Sequence, residues 1–226
     1  MSWMNAFGGW PGVATFALMA CGLLALPLKF PYYDNLLLIV FSAFTYLLTA
    51  NSAAYAFGPK EVAQAISNGA AEGDRREILW RARIPWLVGL LGWGALMALS
   101  LASLRSVRPA ADLPPPAVLA GLATLNCGLA WLTAMLGALI GLNVQTVKGT
   151  RDLLRMGLTF LLALIVLAYF VSPDPWRASL SRITRRNGQL AAVLAVSGGF
   201  LVLLAELCLR RVLNLLGERR QGLSIL

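Results

Sequence analysis

The sequence predicts an all-α fold, a polytopic bundle of about six membrane-spanning helices. Three observations predict it. Of the 226 residues, 58% are hydrophobic and only 13% charged, against about 25% charged in a typical soluble domain. The charges gather between long apolar runs instead of spreading along the chain. Those runs match the roughly 17–25 residues a helix needs to cross a bilayer.

Each run has readable edges. The first covers about 12–28 and closes at Pro27 and Pro31, with Lys29, Tyr32 and Tyr33 suited to an interface. Leu18-Met19-Ala20-Cys21 resembles a lipoprotein processing box, but the apolar run continues to Leu28, so a plain span is expected. No basic side chain precedes that run, which argues against a cleaved leader. The second run covers about 36–57 and contains Asn51, a polar group expected to face other helices rather than lipid.

The third run is about 84–104, with Pro85 at its entry and small residues at Gly89, Gly92, Gly94 and Ala98. A proline-rich turn follows, stiffened by Pro114, Pro115 and Pro116. The fourth run, about 117–142, carries Ala130, Ala134 and Ala138 together with Gly137 and Gly141, a spacing that lets helix backbones approach closely in lipid. A basic connection over about 143–152 leads to the fifth run, about 153–171, where Arg155 is expected to snorkel from the first turn. Residues 172–189 read either as an amphipathic interfacial helix, with Trp176, Leu180 and Ile183 on one face, or as a solvated loop. The sixth run is about 190–209, with a small stripe at Ala191, Ala195 and Gly199, and a basic tail follows. The chain shows no internal repeat and reads as a single transmembrane domain.

Between runs two and three lies the longest polar segment, an elbow over 58–83. Pro59 suits the first turn of a short helix, and Val62 and Ile66 give that helix one apolar face. Asn68-Gly69 is a stop signal. Asp74-Arg75-Arg76-Glu77 has capping-box spacing and predicts a second helix leading into run three. The elbow therefore reads as a docking surface or as a solvated loop.

Six runs place both termini on one side. That side collects 12 of the 19 Lys and Arg residues, including those of the elbow, and the other side collects 7. The excess predicts cytoplasmic termini and a cytoplasmic elbow. The net charge of +9 is then explained by arginines that meet anionic lipid head groups of the bilayer, and no nucleic-acid partner is expected.

Several chemistries are excluded. With no histidine, imidazole catalysis and imidazole metal ligation are absent. Cys21, Cys127 and Cys208 fall in apolar runs without CxxC spacing and read as packing residues. Val147-Lys148-Gly149-Thr150 lacks the frame of a phosphate loop, and Ser197-Gly198-Gly199 is not a nucleophile elbow. No catalytic residue, cofactor or metal is expected. Glu206, inside the sixth run, is the one acidic residue that stands out, since a carboxylate within a bilayer is costly. It reads either as the partner of Arg210 four residues on, or as part of a transport path. Asn51 and Asn126 are further candidates for an intramembrane polar site, with bonding between helices the plainer role.

The layout resembles the permease subunit of an ABC exporter of the type-2 class. Phe57-Gly58-Pro59-Lys60-Glu61-Val62 is similar to the opening of that family's elbow, and Arg75-Arg76-Glu77-Ile78-Leu79 to its exit. The middle, 64–73, lacks the family's Leu-Leu-x-x-Pro centre. The resemblance implies a location in the bacterial inner membrane, a separate ATP-binding subunit gripping the elbow, and a second permease half, identical or homologous. It implies coupling roles for Glu61, Val62, Ile66, Arg75, Arg76 and Glu77. The alternative from another class is a non-transporting structural or assembly subunit of a larger membrane complex.

Overall fold

The computed structural model describes residues 9–10, 12–14, 16–18, 20–21, 42–58, 71–107, 113–144, 146–175, 183 and 186–223. Among them the fold is all-α. Five helices follow in order: α1 Ser42–Ala56, α2 Ala71–Val107, α3 Pro116–Val144, α4 Val147–Val171 and α5 Asn187–Leu223. Helical residues also occur within 10–21.

Among the described residues, three helices are long and apolar enough to cross a membrane, within Arg75–Ser106, Pro116–Val144 and Asn187–Glu218. The distribution of side chains agrees with a lipid surround. Large apolar side chains face outward on α2 (Leu87, Leu91, Leu99), α4 (Met156, Phe160, Leu167) and α5 (Val196, Phe200, Leu203, Leu207). Polar ones are buried instead, among them Thr45, Thr49, Asn51, Ser100, Asn126 and Thr133. Lipid tails are as apolar as leucine, so in a bilayer packing and interhelical hydrogen bonds hold helices together.

The helices alternate in direction. Ser42 and Thr45 meet Asn126, while a Cβ on Gly137 would meet Ala53 and one on Gly141 would meet Phe57, so α1 and α3 run parallel. Gly121 abuts Ala191 and Gly128 abuts Gly198, so α3 and α5 are parallel too. α2 runs against α1, with Gly89 beside Thr49 and Gly92 beside Leu48. One end of the bundle therefore gathers the start of α2, the start of α4 and the ends of α1, α3 and α5. This is called the elbow end below.

α3 and α5 form the most extensive pairing among the described helices. The reason is glycine. A Cβ on Gly128 would strike the Gly198 carbonyl oxygen, and a Cβ on Gly198 would strike the Thr124 carbonyl oxygen. Both obstacles are backbone, so only glycine permits this approach. The expected small stripe on this helix is corrected at one position: Gly199 is exposed and nothing lies within 4 Å of where its Cβ would be, whereas Gly198 makes the contact. Below the glycines, Ala134, Ala138 and Leu142 of α3 join Ala205, Leu209, Val212 and Leu216 of α5 in the main apolar cluster, with Ile78 and Ala82 of α2.

Two boundaries differ from expectation. Residues 147–152 are helix, not connection, because Thr146 caps α4. Its Oγ1 accepts from the Gly149 N–H at 3.1 Å, and its carbonyl accepts from the Thr150 N–H at 3.0 Å. A threonine oxygen meeting an otherwise unpaired first-turn N–H starts the helix there. α2 is already helical at Ala71, so Asp74 lies within it and does not cap it. Pro85 lies inside α2 without ending it; in lipid such a proline is tolerated where neighbouring helices support the backbone.

Candidate functional site

The elbow residues divide. Glu61, Val62 and Ile66 lie outside the described residues, as do Asn68 and Gly69. Arg75, Arg76 and Glu77 lie near the start of α2. Arg76 is exposed. Glu77 accepts from Arg81 Nη2 at 2.7 Å and from its Nε at 3.0 Å, a two-point fork along one helix. Arg83 places its guanidinium 5.4 Å from the ring centre of Trp80. The first turns of α2 thus form a charged, aromatic-edged surface at the elbow end.

Glu206 is tied to this surface. Its Oε1 lies 3.5 Å from Arg75 Nη2 and 4.0 Å from Arg210 Nε. The bond within the helix that the spacing favours is the longer of the two, and the sequence reading missed the link from α5 to α2. Two arginines around one half-exposed carboxylate leave this end positive. Exposed ion pairs of this kind contribute about 0–1 kcal/mol each, so the cluster orients α2 against α5 more than it holds them together.

Asn126 is buried and engaged on three sides. Its Oδ1 accepts from Thr45 Oγ1 at 2.6 Å, and its Nδ2 donates to Ser42 Oγ at 3.1 Å and to its own Leu122 carbonyl at 2.8 Å. This is a knot between α1 and α3.

Asn51 differs. It is 1% exposed, and its Oδ1 accepts from Arg155 Nη2 at 2.9 Å. Its Nδ2, equally buried, has no hydrogen-bond partner among the described residues. Rotating the amide would not help, because Nδ2 would then face a guanidinium that can only donate. Arg155 is therefore corrected from the expected snorkelling role: it stands more than two turns inside α4, is half-buried, and reaches α1. Neighbouring contacts hold the two helices in register, since Tyr46 Oη donates to the Leu154 carbonyl at 2.7 Å.

The energetics single this pair out. A half-buried arginine is costly without a counter-charge, and a buried amide N–H left unpaired costs about 1–3 kcal/mol. Asparagine is neutral and cannot balance the charge. Among the described residues Arg155 has no ion pair, and the carboxylate nearest in sequence, Asp152, lies 3.8 Å from Arg151 Nε. Arg155 was detectable as a basic residue inside an apolar run, but its direction depends on how α1 and α4 are rotated against each other.

No group of three or more His, Cys, Asp or Glu side chains suited to a metal occurs among the described residues. No known protein family, curated protein or solved structure matches this chain.

Proposed function

We propose that this chain is the membrane-spanning permease subunit of an ATP-driven exporter, coupled to a separate ATP-binding subunit and paired with a second permease half. One observation carries the reading. α2 is a single helix of 37 residues, about 55 Å long at 1.5 Å per residue, and exceeds the roughly 30 Å bilayer core. A force applied at Arg75, Arg76 and Glu77 would pass along one continuous helix, through Pro85, to Gly89 and Gly92, where that helix abuts α1. In this reading Glu61, Val62 and Ile66 supply the grip, and the elbow end and both termini are cytoplasmic, in a bacterial inner membrane.

The experiment is affinity purification of the tagged full chain from its native membrane. An ATPase should co-purify, be lost on replacing Val62 and Ile66 with Asp, and be weakened by Arg76→Glu. Recovery of other membrane subunits without an ATPase would replace this reading with that of a structural or assembly subunit.

A further inference from the structure

We infer that the seam between α2 and α5 at the elbow end binds an anionic phospholipid of the surrounding bilayer, with its phosphate on Arg75 and Arg210 and its acyl chains along the outer face of α5. The inference stands apart from the exporter reading, since the lipid binds with or without an ATPase partner.

Two guanidiniums from different helices converge here. Arg75 Nη2 and Arg210 Nε lie 3.5 Å and 4.0 Å from the same oxygen, Glu206 Oε1. The two nitrogens are therefore no farther apart than those distances laid end to end. Two oxygens of one phosphate span such a gap with charge-assisted bonds of about 2.7–2.9 Å. Glu206 does not use the pair up. Both of its contacts are longer than such bonds, and each guanidinium has five N–H donors. One carboxylate balances only one of the two positive charges, so the cluster keeps a net charge that favours an anion over a zwitterion. The donors are also within reach, because the Arg75 and Arg210 side chains are 60% and 72% exposed.

The apolar half of the site adjoins the arginines. Val196, Phe200, Leu203 and Leu207 are exposed and recur at steps of three and four residues. Arg210 continues the same face of α5 three residues on, and is exposed too. From Val196 to Leu207 this strip is about 16 Å long at 1.5 Å per residue, close to the depth of one leaflet in a hydrocarbon core of about 30 Å. A guanidinium at the end of such a strip stands where a phosphate stands above its own acyl chains. Near the start of α2, exposed Trp80 carries the Arg83 guanidinium over its ring, an aromatic and basic pairing suited to the place where a helix leaves the hydrocarbon. A soluble anion would meet the arginines but gain nothing from the strip, so the occupant is a lipid.

The test uses the full-length protein, delipidated in detergent, with native mass spectrometry as each probe is titrated. The probes are dioleoylphosphatidylglycerol, dioleoylphosphatidylcholine, and glycerol 3-phosphate, which carries a phosphate without chains. Wild type should bind phosphatidylglycerol at least fivefold more tightly than phosphatidylcholine and show no glycerol 3-phosphate adduct at the same concentration. Arg75→Gln combined with Arg210→Gln should bring phosphatidylglycerol down to the level of phosphatidylcholine. Lys148→Gln combined with Arg211→Gln removes the same charge from exposed positions at the same end of the bundle and should stay within twofold of wild type. Glu206→Gln removes the competing carboxylate and should bind phosphatidylglycerol at least as tightly as wild type. Equal binding of the two lipids by wild type overturns the inference, as does an equal loss in the two double variants, which would reduce the effect to net charge. Loss of binding in Glu206→Gln, or glycerol 3-phosphate bound as tightly as the lipid, overturns it as well. If the Arg75 and Arg210 double variant does not fold, each single variant should weaken phosphatidylglycerol binding at least threefold, and wild-type binding in both overturns the inference.

Discussion

Two asparagines of the same chemistry sit between helices and differ in what surrounds them. Asn126 engages both its amide donors and its carbonyl oxygen within the bundle. Asn126→Ala should lower stability by about 1–2 kcal/mol in a reversible detergent-unfolding titration, because Thr45 and Ser42 lose a shared partner while remaining buried. Glu206→Gln should change that stability by less than about 1 kcal/mol, since neither of its two long pairs is buried within the bundle. A transport defect in that variant without a stability change would assign Glu206 to the substrate path. Asn126 was readable as helix glue from its place in an apolar run. The pairing of Asn51 with Arg155 was not, because sequence spacing fixes depth along a helix but not its rotation about its own axis.

Helices of this composition carry small residues on every side, so counting them does not locate an interface. Of the glycines in α2, Gly89 and Gly92 meet α1, whereas a Cβ on Gly94 would meet nothing within 4 Å. α5 makes the same distinction between adjacent residues, Gly198 and Gly199. Gly198→Val should abolish the native fold or cost at least several kcal/mol, because a backbone carbonyl cannot yield. Gly199→Ala should raise stability by about 0.5–1 kcal/mol through helix propensity alone. Parallel unfolding titrations of the two variants check the pair. What decided the matter was a contact between residues far apart in sequence, for which a single helix holds no signal. The start of α4 at Val147 was legible in principle from Thr146 as a cap, but the basic character of Lys148, Arg151 and Asp152's neighbourhood drew the boundary too late.

At the scale of the molecule, the all-α class followed directly from hydropathy, because a bilayer leaves the backbone few ways to satisfy itself. Direction can be checked by thiol labelling in a background without Cys21, Cys127 and Cys208. Single cysteines at Arg76 and Glu218 should react from one side of the membrane, and one at Ser106 from the other; all three positions are exposed. The parallel pairing of α3 with α5 also has a consequence for biosynthesis. α4 separates the two helices in sequence, so the groove at Gly121 and Gly128 is made long before its occupant. At about 5–20 residues per second, the ribosome needs roughly 4–14 s to travel from Gly128 to Gly198. For that interval the nascent chain offers lipid a bare strip of peptide backbone. A chain halted before α5 would keep that strip uncovered, which would mark it for a chaperone or a membrane protease.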